Sequence, residues 1–269
     1  MGIGGNLMWT SLAYEIFKKH NKKVIFYYKN EIFKPFIFCN NPHIAFIPNK
    51  NNIVVDISFK ILPEMYTKKK WKIENHTIFY RCNYFGYNNP LIKCHLFPTK
   101  NENKRILNIV KNLSEEFIII EPHAKKDWCA HKQYPLNKWQ NIVNEISKII
   151  PIVQMSLPGH KLLDNVIDIS KKIRNFREAC FMLRHCKLFI STEGGLMHGC
   201  NAVGGKCLMI YPPIFDPKWT KYEDTEYIWV KNENHFNCFQ TGYCKECSNI
   251  MNNHDENIII NKIKETINR

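Results

Sequence analysis

The feature that most constrains this chain is an alternation that sets in after residue 104. Phe117-Ile118-Ile119-Ile120 is apolar at every position, whereas a strand with one wet face would alternate, so it reads as a strand covered on both faces. Residues 137–148 follow with Trp139, Ile142, Val143 and Ile146 at steps of three and four, the stripe of an amphipathic helix. Ile152-Val153-Gln154-Met155, Leu188-Phe189-Ile190 and Cys207-Leu208-Met209-Ile210 repeat the strand pattern. Helical stretches at 176–186 and 196–203 fall between them, and residues 256–268 put Ile259, Ile263 and Ile267 on one helix face. Strands alternating with helices predict the α/β class with a parallel, doubly wound sheet.

The first hundred residues are less regular. Trp9, Leu12, Ala13, Ile16 and Phe17 share one helical face, with Thr10 or Ser11 as its cap. Lys18, Lys19 and His20 suit the negative end of that helix, and Asn21 can end it. Val24-Ile25-Phe26-Tyr27-Tyr28, Ile44-Ala45-Phe46-Ile47 and Ile53-Val54-Val55-Asp56 read as strands. Residues 66–98 are aromatic, rich in Asn and without a clear period, and 104–113 is helical. The opening MGIGGN reads as a glycine loop at a helix start. It is no dinucleotide fingerprint, because it lacks a third Gly and no strand precedes it.

Composition narrows the classes further. The chain has 269 residues, 45% of them hydrophobic, enough for one large domain or two small ones. No apolar run reaches the roughly 18 residues of a membrane-spanning helix. The N-terminus lacks the basic flank and apolar stretch of a signal peptide, and Asn6 stands where N-myristoylation needs Ser or Thr. The formal net charge of +14 invites a nucleic-acid or anionic-membrane partner. The longest basic block is only Lys68-Lys69-Lys70, and Lys, Asn and Ile are abundant together, as AT-rich coding produces. No specific nucleic-acid partner is therefore expected, and an anionic membrane surface stays open as a second partner. Eleven Cys, an odd number spread from Cys39 to Cys247, do not make a disulfide framework and point to reduced thiols in the cytoplasm.

Two constellations carry chemistry. Ser191-Thr192-Glu193-Gly194-Gly195-Leu196-Met197-His198 joins a buried strand to a helix, where free N–H groups and the helix dipole favour an anion. Gly194 and Gly195 would let a diphosphate approach the backbone, and His198 could add a donor; an ordinary βα turn accounts for the same residues. The stretch is no Walker A loop, since the spacing is wrong and Cys207 follows Lys206. Near the end, His235-x2-Cys238-x5-Cys244-x2-Cys247 offers one His and three thiols; a structural zinc site and reduced structural Cys are both open readings.

STEGGLMHGCNAVGGKCLMIYPP resembles the "DSGPMHLAAALGVPTVALFG" signature of glycosyltransferase family 9, the ADP-heptose:lipopolysaccharide heptosyltransferases. GIGGNLMWTSLAYEI is similar to that family's opening "GDVLMTTPALRAL", and EPHAKKDWCAHKQYPLNKWQNIV to its "P-x-x-x-x-x-K-x-W-P-x-x-x-W" segment. The resemblance implies two Rossmann-like domains facing across a cleft (GT-B), here over 1–114 on the acceptor side and 115–269 on the nucleotide-sugar side. The N-terminal domain would be reduced by one strand, or the start clipped, because the family has a strand before the opening loop. The last helix could pack back on the N-terminal domain. The implied activity is inverting sugar transfer, heptose-like, from a nucleotide-diphosphate sugar to a glycan or lipid-linked acceptor in the cytoplasm or at the inner membrane face. It needs no cofactor and no metal, and the chain has no Asp-x-Asp motif.

Carried over by position, Glu193 stands on the signature Asp, Gly194 on its Ser and Leu196 on its Pro, while Gly195, Met197 and His198 are identical. These would hold the donor diphosphate. Lys132 stands on the phosphate-binding Lys, where its charge would stabilise the departing diphosphate. His123 and Lys125 share that loop and would touch donor or acceptor. Pro158-Gly159-His160 matches the turn near the nucleoside, with Lys161 where the family often has Glu. The family's candidate base, an Asp, is replaced by Gly5 in the acceptor-side loop Gly4-Gly5-Asn6, and neither Gly nor Asn accepts a proton at neutral pH. Asp56, at the end of a predicted strand, is the first substitute, and Glu15 a weaker one. Other acceptor chemistry, or a protein that binds nucleotide sugar without transferring it, would also account for the loss.

Overall fold

The computed structural model describes residues 2–58, 75–123, 129–214, 216–236, 238 and 242–269. The chain divides into two compact units, Met1–Thr99 with Lys218–Glu223, and Lys100–Pro217 with Asp224–Arg269.

The first unit begins with helices α1 (Ile3–Leu7) and α2 (Trp9–His20). The expected opening loop is therefore helical, and Gly4, Gly5 and Asn6 lie inside α1. Only Met8, itself in the right-handed helical region, separates the two helices. Met8 occupies the cap position of α2 and neither Thr10 nor Ser11 caps it; the Thr10 hydroxyl donates back to the Leu7 carbonyl at 2.6 Å. Because helical backbone already precedes α2, its first amides lie against α1 and a side-chain cap has no vacant end to fill. Asn21 ends α2 in the left-handed region at φ 51°.

Strand β1 (Val24–Tyr28) turns through Lys29 and Asn30, both at positive φ, into β2 (Glu31–Ile32). That two-residue turn matches the twist of an antiparallel pair. On its other edge β1 pairs in parallel with β3 (Ile53–Asp56), giving the order β2-β1-β3. The strand expected at 44–47 reduces to a single bridge, Ile44 to Val24. Pro42 and Pro48 bracket that segment and deny it a ladder. Helix α3 (Thr77–Tyr84) falls in the stretch the sequence left without a period. Trp9 is buried against Phe26 and Phe85, with the Arg81 guanidinium 4.6 Å from its ring.

The second unit runs α4 (Lys100–Val110), β4 (Ile118–Glu121), α5 (Leu136–Ile146), β5 (Ile152–Gln154), β6 (Ile167–Asp168), α6 (Phe176–Leu183) and β7 (Leu188–Thr192). It continues with α7 (Gly195–Val203), β8 (Cys207–Tyr211), β9 (Thr225–Trp229), α8 (Lys245–Asn253) and α9 (Glu256–Ile267). Its six strands are all parallel, in the order β6-β5-β4-β7-β8-β9. This is the doubly wound arrangement the apolar runs predict: β7 and β8 are buried at every residue.

One sheet face, with Ile118, Ile120, Leu188, Ile190, Leu208 and Ile210, forms a core with Trp139, Ile142, Val143 and Ile146 of α5 and the Ile stripe of α9. Helix α9 thus packs on α5 within its own unit. Helices α6 and α7 pack together, and Gly199 of α7 is required there: an added Cβ would meet the Cys180 sulfur at 2.2 Å. Among the described residues no helix is long and apolar enough to cross a membrane.

Candidate functional site

Strand order locates the site before any side chain is considered. From β4 the chain winds outward through β5 and β6, then returns to lay β7 against the other edge of β4. Between the carboxyl ends of β4 and β7 the connections leave in opposite directions, which opens the crevice where doubly wound sheets take ligands. Glu121 ends β4, directly opposite Ser191 on β7, and the turn Glu193-Gly194 leads from β7 into α7.

No side chain caps α7, and its first turn holds no acidic residue. Its terminal amides and dipole therefore make an anion-favouring end. A Cβ on Gly194 would meet nothing nearer than the Thr192 carbonyl at 3.8 Å, so internal packing does not demand glycine at that position. Deeper in the helix the signature residues are buried. Met197 is 1% exposed and its sulfur accepts from the Tyr211 hydroxyl at 3.1 Å; His198 is 4% exposed.

Lys132 lies in a short 3-10 turn, Ala130–Lys132, and its ammonium forms a charge-assisted hydrogen bond and ion pair with Glu193 Oε2. Both side chains are nearly enclosed, at 10% and 7% exposure. The sequence-derived Lys132 and the Glu193 turn thus come together across 61 residues of chain. A buried cation paired with a carboxylate can change partner when a more highly charged anion arrives, without first leaving water.

The nucleoside-side candidates also meet. His123 Nε2 donates to the Lys161 carbonyl at 2.8 Å, and its ring lies 4.4 Å from that of His160. Gly159, directly before His160, takes φ +87°, where glycine is favoured. Lys125 lies outside the described residues.

Glu121 was absent from the sequence-derived set. The Ser191 hydroxyl donates toward its carbonyl at 2.9 Å and its carboxylate at 3.3 Å. Desolvation pushes the Glu121 carboxyl up to about 7, against the weaker opposing effect of Ser191. A charged residue directly after an all-apolar strand was the available signal; reading 121–134 as one polar loop hid it.

In the first unit, the candidates make the following contacts. The Gly5 carbonyl accepts from the Arg81 guanidinium, and Gly4 is buried. Asn6 Oδ1 is buried with no hydrogen-bond partner among the described residues. Asp56 Oδ1 accepts from the Ser58 amide at 2.8 Å, and hydrogen bonding to Ser58 holds its carboxyl below the ordinary range. Glu15 Oε1 accepts from the Leu91 amide at 2.9 Å.

The metal-type constellation also assembles. His235, Cys238, Cys244 and Cys247 bring their ligand atoms within 4.8 Å of one another.

Residues 73–248 match the model of glycosyltransferase family 9 (heptosyltransferase), so the opening segment lies outside the match. No curated protein matches the sequence. Among solved structures, the glycosyl transferase family 9 protein from Veillonella parvula DSM 2008 superposes with a TM-score of 0.69 at 11% identity, covering 99% of this chain and 95% of that one. The iron-containing dodecameric glycosyltransferase TibC from enterotoxigenic E. coli H10407 does so with a TM-score of 0.68 at 12% identity, covering 99% and 74%. At such identities these likenesses show the fold.

Proposed function

The chain belongs to glycosyltransferase family 9, and from that premise we propose that it moves a sugar from a nucleotide-diphosphate donor to a glycan or lipid-linked acceptor, with inversion and without a metal in the transfer step. The observation that carries this reading is the enclosed Lys132–Glu193 pair beside the uncapped start of α7, at the carboxyl edge of the parallel sheet. The donor diphosphate binds across the amides of Gly194, Gly195 and Leu196. Negative charge builds on that diphosphate as the glycosidic bond breaks. The Lys132 ammonium, released from Glu193, stabilises it there, and fixed amide dipoles add to the effect at no reorganisation cost.

Burial of Met197 and His198 makes them supports of the turn, so the phosphate contacts fall to backbone amides and Lys132. His123 and the turn Pro158-Gly159-His160 border the nucleoside. The second unit is thus the donor domain and the first the acceptor domain. Asp56 is the first-unit carboxylate to take the acceptor's proton; it is ionised at neutral pH, as a base must be, although its lowered affinity for protons makes it a weak one. The work is done in the cytoplasm or at an anionic membrane surface, which the basic charge favours.

A donor screen by thermal shift tests the reading, because a ligand held only by the native state raises its melting temperature. ADP-, GDP- or UDP-sugars should raise it, and the double variant Lys132→Met with Glu193→Gln, which leaves no lone buried charge, should abolish the shift. No response to any nucleotide sugar would sink the proposal. The replacement of the family's Asp by Gly5 favours a second reading, binding without transfer. Saturable donor binding with no diphosphate released under any acceptor would establish it.

A further inference from the structure

We infer that His235, Cys238, Cys244 and Cys247 bind one thiophilic transition-metal ion, zinc by the chemistry of the donor set, and that this ion anchors the turn carrying Lys132. Cys238 Sγ lies 3.1 Å from Cys247 Sγ, His235 Nε2 lies 3.2 Å from Cys247 Sγ, and Cys244 Sγ lies 3.5 Å from His235 Nε2. Zinc–sulfur bonds of about 2.3 Å and zinc–nitrogen bonds of about 2.0 Å set ligand–ligand edges of roughly 3.5–3.8 Å in a tetrahedron. The two nitrogen–sulfur separations are within a few tenths of an ångström of that figure, the sulfur pair is somewhat closer, and all four ligand atoms lie within 4.8 Å of one another, far from the roughly 2.05 Å of a disulfide. Three sulfurs and one imidazole fill four positions and leave none for a substrate, the pattern of a structural ion.

The surroundings support the same conclusion. Cys244 and Cys247 are buried, and the Cys247 amide donates to Cys244 Sγ at 3.5 Å in the first turn of α8. The Cys244 amide donates to His131 Nδ1 at 3.2 Å. That bond fixes the His131 proton on Nε2, which points at Cys129 Sγ at 3.2 Å. The Ala130 amide donates to the Gly242 carbonyl at 3.1 Å. Residues 129–131 are therefore tied to the ligand loop on both sides, and Lys132 is the next residue in the same turn. Binding releases the three thiol protons to solvent and involves no redox step.

The metal site stands independently of the transferase reading; its effect on Lys132 rests on that reading, and metal analysis separates the two. Full-length protein purified without chelator under reducing conditions should hold about one equivalent of zinc by elemental analysis, and Cys238→Ser with Cys247→Ser should lose it. Cobalt added to chelator-stripped wild-type protein should give the intense visible absorption of a tetrahedral thiolate site, a readout that needs no variant to fold. No bound thiophilic metal, no cobalt spectrum, or a native disulfide among these three Cys would overturn the site. Stripping the ion should weaken nucleotide-diphosphate binding by roughly tenfold, the usual scale for disturbing an outer-shell support. Unchanged affinity in the stripped protein would overturn the link to Lys132.

Discussion

Gly4-Gly5 and Gly194-Gly195 are the same dipeptide in two settings. The first lies within α1, with Gly4 buried and the Gly5 carbonyl bonded to Arg81. The second bridges the last residue outside α7 and its first residue, one residue after a fully buried strand. A glycine pair by itself makes no anion site. What makes one is a strand that delivers the pair to a helix start, with the amides pointing away from the sheet. The neighbouring glycines sharpen the point. Gly199 and Gly205 are demanded by packing, with added Cβ atoms at 2.2 Å from Cys180 Sγ and 2.6 Å from the Leu183 carbonyl, whereas Gly194 has room.

The largest effect tests the missing carboxylate of the opening pair. Asp56→Asn should lower kcat by about 10²–10⁴-fold, the usual contribution of a general base. Steady-state kinetics that match wild type would remove Asp56 from the chemistry and leave it a turn residue bonded to Ser58. Gly199→Ala comes next. Forcing a methyl against Cys180 should cost about 1–3 kcal/mol in denaturant unfolding. A neutral result would mean that α6 and α7 part easily, and would blur the distinction between packed and open glycines.

The crevice itself predicts a pH signature. The folded Glu121 carboxyl titrates at about 7 against a reference of 4.5, so the folded state holds the proton more tightly than the unfolded chain. Stability therefore falls as pH rises from 4.5 through about 7, and the full cost is present above that. Glu121→Gln should stabilise by about 1–3 kcal/mol at alkaline pH and by almost nothing in acid. An equal gain at every pH would show that desolvation of the charge is not the cause. The smallest change in stability belongs to Gly194→Ala: under about 0.5 kcal/mol, since the methyl meets only ordinary contacts. Calorimetry with a nucleotide diphosphate should nonetheless register weaker binding. Undiminished affinity would mean that the ligand does not approach this backbone.

Much of the second unit was legible because its local signals agree. Four-residue apolar runs can lie flat only between two covered faces, and the stripe through Trp139, Ile142, Val143 and Ile146 buries as the spacing requires. The strands and helices that went unread, β2, β6, β9, α3 and α8, lack such signals. Residues 225–229 mix Glu and Tyr with apolar residues at the sheet edge, and β6 is two residues long. The opening helix escaped because two glycines and an Asn carry low helix propensity, which tertiary contacts, Arg81 among them, override.

The sequence by itself determined the parallel sheet, the turn at Glu193-Gly194 and the spacing of one His and three Cys near the end, since each depends on periodicity or spacing within a short window. Only the tertiary structure decided that Lys132 pairs with Glu193, that Glu121 faces Ser191, that Met197 and His198 are buried, and that His235 meets three sulfurs. Those juxtapositions join residues far apart in the chain. They follow from strand order and from which groups lose water together, and no local pattern records either.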